Sequence, residues 1–263
     1  MHFFSFQHIL LFAAALIAGS INSVAGGGSF ISFPALLFTG VNPIVANATN
    51  NTAMWLGTLA SASGYSAEIV SRKKQLLVLA LVSLLGGMLG SLLLLMTSAK
   101  FFGHLIPYLL LSATLLFNFS SKVTKSLQSH LPQWSEKKHP LGLLIVQFVI
   151  SIYGGFFGGG MGILMLAILS VMGLGNIHTM NAFKSFLGIC INGIAIIPFM
   201  LAGIILWHQV VIMSSGAIIG GYLGAVLAQK LEPALIKRFV ILIGYGMSAY
   251  FFVTYPPLKI TVS

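Results

Sequence analysis

One lysine and two clusters of amide and hydroxyl side chains are the groups of this chain best suited to act on a solute. Lys184 sits in the run Asn181-Ala182-Phe183-Lys184-Ser185, a few residues into a long apolar stretch. Half a chain earlier the matching run is Asn47-Ala48-Thr49-Asn50-Asn51. A lysine at the centre of a membrane helix costs roughly 2.5–3.5 kcal/mol, so such a residue is either functional or reaches the interface. Asn and Thr side chains at the head of a helix supply hydrogen-bond donors that an apolar packing surface has no use for. Each run follows three consecutive glycines, Gly26-Gly27-Gly28 with Ser29 behind them, and Gly158-Gly159-Gly160. A helix broken there leaves amide N–H groups at the positive end of the next half-helix, where an anion is favoured. Glycine also lets a ligand or a second helix approach the main chain closely. The chemistry these residues suit is the desolvation and holding of a small anion.

The groups that are absent narrow the reading. The chain has no Asp, and its three glutamates, Glu68, Glu136 and Glu232, fall at or beyond the ends of the apolar segments. A buried carboxylate relay, paired-carboxylate catalysis and an acidic metal site are therefore not expected. Cys190 is the single cysteine, which excludes an internal disulfide and a cysteine-rich metal site. No GxSxG elbow occurs, and the histidines, His178 among them, are placed mainly in loops or termini. No catalytic residue, metal ligand or cofactor follows from this inventory. The formal net charge of +10 favours anionic lipids and anionic solutes. Without a folded basic domain, nucleic acid is not an expected partner.

Composition sets the frame that must position these groups. With 57% hydrophobic and 6% charged residues among 263, and a mean hydropathy of +1.01, the chain cannot cover a water-facing surface. Long unbroken apolar segments without a barrel's alternation imply an all-α, polytopic transmembrane helical bundle. Ser29 to Phe38 is too short to cross about 30 Å of hydrocarbon, so it reads as a half-length helix after the glycine break. Full spans are expected at Ala46 to Val70, Leu76 to Thr97 and Phe101 to Phe119. The second half repeats the order: Leu141 to Phe157, the glycines, a short helix from Met161 to Met172, then spans near Thr179 to Ala202, Val210 to Gln229 and Leu235 to Val253. At about 20 residues per crossing the chain holds about eight spans. The first apolar run, followed by Ser23-Val24-Ala25, has the outline of a signal peptide. No Lys or Arg precedes it, and the same design recurs at Leu141 to Gly160, so it is read as part of the bundle. Gly86, Gly87 and Gly90, with Gly216, Gly220, Gly221 and Gly224, are read as helix-packing glycines.

Positive charge clusters at Arg72 to Lys74, Lys122 to Lys138 and Lys230 to Arg238, which places those loops in the cytoplasm. The turns near Lys100 and Trp207-His208 are then outside, and each glycine-broken segment makes no net crossing. Residues 1–120 form a first membrane repeat, 121–139 a cytoplasmic basic linker, and 140–263 a second, inverted repeat. Transporters built this way hold substrate near mid-membrane between broken helices of the two halves.

The repeated stretch resembles the sulfite exporter TauE/SafE family of bacterial membrane permeases. The resemblance is carried by Ala25-Gly26-Gly27-Gly28-Ser29-Phe30-Ile31 with Pro34 and Ala46 to Asn50, and by Gly154-Gly155-Phe156-Phe157-Gly158-Gly159-Gly160-Met161-Gly162. It covers almost the whole chain. It implies a multi-pass inner-membrane transporter for small sulfur-containing anions such as sulfite or sulfonates. The family pattern has a Pro after the second glycines and a Thr-Ser pair at the later helix start. Leu166, and Phe183 with Lys184, stand there in this chain, a difference that bears on substrate and not on fold.

The expectation is a secondary transporter, not an enzyme, moving a small anion by alternating access among membrane lipids. Its binding residues are expected to be Gly26, Gly27, Gly28, Ser29, Asn47, Thr49, Asn50, Asn51, Gly158, Gly159, Gly160, Asn181, Lys184 and Ser185. Without buried acids, efflux driven by the inside-negative potential is the default, since moving one charge is worth about 2.3 kcal/mol per 100 mV. An anion channel shares every charge argument, and a membrane scaffold or embedded enzyme is the third reading.

Overall fold

The computed structural model describes residues 6–24, 26–63, 73–119, 141–174, 177–227 and 233–255. Among them are ten α-helices and no strand: α1 Phe6–Val24, α2 Ser29–Phe38, α3 Pro43–Ser63, α4 Lys73–Leu95, α5 Ala99–Asn118, α6 Leu141–Phe156, α7 Met161–Val171, α8 Ile177–Leu201, α9 Trp207–Leu227 and α10 Pro233–Thr254. The basic linker, the three glutamates and the far end of the span expected to reach Val70 lie outside the described residues. Two helices are short, α2 with 10 residues and α7 with 11, and each follows a glycine triplet. At about 1.5 Å per residue neither crosses a bilayer. Phe6–Ser23, Leu76–Leu95, Ala99–Asn118 and His178–Leu201 are long and apolar enough to do so on length and composition alone. Trp207 and His208, expected in a turn, open α9, and His178 falls in the first turn of α8.

Polarity runs from the outside in. Leu77, Leu81 and Leu85 of α4 are 63%, 56% and 68% exposed, a stripe at four-residue spacing facing outward. Ser83 of the same helix is buried and accepts a hydrogen bond from Gln147 Nε2 of α6 at 2.9 Å. An apolar exterior over buried amides and hydroxyls is the arrangement that lipid requires.

The helix order α1 to α5 is repeated by α6 to α10, and the packing obeys the same exchange. α1 packs on α9 as α6 packs on α4, and α3 packs on α9 as α8 packs on α4. Each half thus closes on a helix of the other. The seams carry glycines in one register: Gly86, Gly87 and Gly90 in α4, and Gly220, Gly221 and Gly224 in α9. A Cβ on Gly87 would meet Ile191 O at 2.9 Å, and one on Gly221 would meet Gly57 O at 2.8 Å, so these are packing glycines as expected. Gly216, Gly220 and Gly224 lie along Phe12, Leu16 and Ser20, so α1 and α9 run parallel. Gly86 and Gly90 lie along Phe148 and Ile152, so α4 and α6 do too. The Leu206 amide at the start of α9 donates to Thr49 Oγ1 near the start of α3, and Asn47 of the same turn donates to Phe156 O at the end of α6, against which Gly90 near the end of α4 is packed. α4 and α9 are therefore antiparallel, and with them α1 and α6, which makes the two halves inverted.

Candidate functional site

The first glycine break is closed by the chain itself. Gly26, at φ +71°, turns the chain in the left-handed region, and its amide donates to Ile21 O at 3.2 Å. The next two amides, Gly27 and Gly28, donate to Oδ1 of Asn22 at 3.1 and 2.8 Å. The positive end of α2, expected to face a solute, is thus capped by a side chain from the last turn of α1. In the second half Gly154 occupies the place of Asn22. There the amides of Gly159 and Gly160 meet no acceptor among the described residues, and Gly158 and Gly160 both hold positive φ. The two breaks share a sequence pattern and differ in what they leave unpaired.

Between them lies a cavity of about 60 Å³. One water needs about 10–15 Å³ of such space, so a solute of a few heavy atoms fits. α1 contributes Asn22 and Ser23 to its wall, the first break Gly26 and Ser29, and α3 Asn50 and Asn51. From the second half come Gly158, Gly160, Lys184 and Ser185. Met54, Phe157 and Met161 supply apolar wall.

Lys184 is only 6% exposed, which rules out an interface anchor. Its Nζ donates to the carbonyl of Asn22 at 2.9 Å and lies 3.5 Å from that of Ser23. The described residues contain no carboxylate that could balance it. On the opposite helix Asn50 Oδ1 and Asn51 Oδ1 are buried without a partner, as is Oδ1 of Asn192 on α8. A half-turn of an Asn amide exchanges its oxygen for its NH2, so such a group can present a donor or an acceptor.

Of the fourteen expected binding residues, Gly26, Ser29, Asn50, Asn51, Gly158, Gly160, Lys184 and Ser185 line the cavity, and Gly27, Gly28, Asn47, Thr49, Gly159 and Asn181 do not. Asn47 Nδ2 donates to Phe156 O at 3.0 Å, tying α3 to the end of α6, and Thr49 holds the Leu206 amide. Asn181 is buried off the cavity with its Oδ1 unpartnered. Sequence reasoning missed Asn22, Thr58, Ser61 and Asn192 on the wall. The signal for Asn192 was present, a lone amide in the apolar run from Ile189 to Ile197.

Residues 11–251 match the family described as Sulfite exporter TauE/SafE. The chain belongs to the TauE/SafE family. It is 29% identical to a probable membrane transporter protein of Haemophilus influenzae over 91% of this chain and 92% of that one. It is 29% identical to the probable membrane transporter protein ORF9 of Sinorhizobium sp., over 92% and 91% of the two chains. To the probable membrane transporter protein YfcA of Escherichia coli K12 it is 28% identical, over 91% and 87%. No solved structure matches. This TauE/SafE protein is accordingly a multi-pass inner-membrane transporter rather than an enzyme.

Proposed function

We propose that this transporter carries a small anion, sulfite or a short organosulfonate, by alternating access around the cavity between its halves. The observation that carries this reading is the buried Lys184 ammonium, set in the cavity wall among carbonyls and amides with no carboxylate among the described residues. A buried charge is costly unless a partner answers it, and an anion in the cavity is that partner. At 4 Å and an effective dielectric constant near 20 the attraction is about 4 kcal/mol. The amides of Gly159 and Gly160 lie at and beside the wall, where they would take an anion's oxygens, with Asn50 and Asn51 opposite. A small cavity framed by broken helices of two inverted halves suits a carrier better than a continuous pore. The direction consistent with an inside-negative potential is efflux, with the 121–139 linker on the cytoplasmic side.

Flux of labelled sulfite and of a small sulfonate into proteoliposomes under an imposed potential tests this. Saturable, potential-sensitive flux that Lys184→Ala abolishes is the expected result. Flux that does not saturate would make the protein a channel, and flux equal in both proteins would remove Lys184 from the site.

A further inference from the structure

Among the described residues Lys184 is met by two main-chain carbonyls and by no carboxylate. Asn22 O and Ser23 O belong to the last turn of α1, where carbonyls lack a helical N–H partner and the helix dipole is negative. The side chains of these residues are committed elsewhere, Asn22 Oδ1 to the amides of Gly27 and Gly28, and Ser23 Oγ to Ser20 O at 2.8 Å. The two main-chain oxygens are left to Lys184, and both residues belong to the cavity wall. Carbonyls at the end of a broken membrane helix are the ligands with which transporters of this architecture hold a coupling cation. Here the position is filled from across the molecule. Lys184 reaches it from α8 of the second half, its stem running over Gly162, where a Cβ would stand 3.3 Å from Lys184 Cδ. Ser29 and Ser185 line the same cavity.

We propose that the C-terminal carbonyls of α1 form a monovalent-cation site that the chain fills with its own Lys184 ammonium, so that a tethered charge takes the place of a dissociable ion such as Na+. The consequence for transport, that no alkali cation is required at this position, rests on the anion-carrier reading; the cation site itself does not. Removing the ammonium while leaving the corridor open should convert an ion-independent protein into one that binds an alkali cation from solution.

Thermal unfolding of the purified protein in choline, Na+, K+ and Li+ chloride at equal ionic strength tests the site without any transported anion. Wild type is expected to unfold at the same temperature in all four salts. Lys184→Ala is expected to be stabilised saturably by an alkali cation, by about 3–5 °C at ten times the dissociation constant. Ethylammonium, which restores the missing group, should do the same. Lys184→Met fills the corridor with an uncharged chain and should respond to none of them. A Lys184→Ala protein indifferent to every cation and to ethylammonium overturns the proposal. So does a wild type that responds to Na+ as strongly as the variant. Should the alanine variant be unstable in choline, folding that depends on Na+ throughout purification supports the site, and failure in every salt overturns it. Uptake is read separately: cation stabilisation of Lys184→Ala, alongside a wild type that carries neither sulfite nor sulfonate, keeps the cation site and removes the anion reading alone.

Discussion

Gly26 and Gly162 touch through their main chains. A Cβ on Gly162 would stand 3.0 Å from Gly26 Cα, and one on Gly26 would stand 2.8 Å from Gly162 Cα. The turn after α1 and the first residues of α7 are therefore pressed together with no side chain between them. Neither neighbour can yield by a rotamer change, because the opposing atoms are backbone. We expect Gly162→Ala to cost about 1–3 kcal/mol by overpacking. Gly26→Ala should cost more, since the left-handed conformation adds about 1–2 kcal/mol for a residue with a Cβ. Gly246→Ala points into open space and should stay within about 0.5 kcal/mol. Thermal unfolding in detergent ranks the three.

Asn22 carries two roles that substitution can separate. Asn22→Ala strands the amides of Gly27 and Gly28, and an unpaired buried donor costs about 1–3 kcal/mol. Asn22→Asp keeps an acceptor for both amides but sets a carboxylate on the residue whose carbonyl holds Lys184. That variant should unfold near the wild-type temperature and lose anion uptake by about tenfold or more, equivalent to about 1.4 kcal/mol in binding. Uptake at the wild-type level in Asn22→Asp would show that the charge of Lys184 is not read by the solute.

Asn50 and Asn47 stand on one helix and should behave oppositely. Asn50 Oδ1 is buried without a partner, so Asn50→Ala removes an unmet acceptor and should change stability by less than about 1 kcal/mol. Uptake should nevertheless fall about tenfold or more, which is about 1.4 kcal/mol. Asn47→Ala breaks the 3.0 Å bond to Phe156 O. It should lower stability by about 1 kcal/mol or more, with uptake per folded molecule retained. Paired unfolding and uptake assays on the two variants give the comparison.

The N-termini of α1 and α9 meet where His8 Nε2 and His208 Nε2 lie 3.3 Å apart. Because these helices are packed along their whole glycine seam, they are expected to move as one body. In a Cys190→Ala background, His8→Cys with His208→Cys joined by a short bis-thiosulfonate should keep at least half of the uptake of the uncrosslinked protein. Abolished uptake on crosslinking would mean that this seam opens during the cycle.

Much of this arrangement could be read from residue order. α2 falls on Ser29–Phe38 because three glycines fix its start and Gly40 to Pro43 its end, signals that are local. Lys184 was ambiguous between interface and interior, and burial decides it, since depth in the membrane is set by packing and not by position in the run. What sequence could not give was distance along a helix axis. Asn47 lies one turn from Asn50, on nearly the same face, yet it meets the end of α6 while Asn50 meets the cavity. Nor could it separate the two glycine triplets. Identical in sequence, they differ because Asn22 stands before one and Gly154 before the other, a substitution that matters only once the chain doubles back.

The exchange of partners between halves also governs how the protein is made. When the first five helices have entered the bilayer, the glycine face of α4 has nothing to meet, because α6 and α8 are still unsynthesised. α1 and α3 likewise wait for α9. The nascent first half must dwell in lipid with open seams, and assembly closes late, like two hands clasping. Either half expressed alone should be degraded, whereas the two expressed as separate chains should meet and protect each other, since the clasp needs no peptide bond across it.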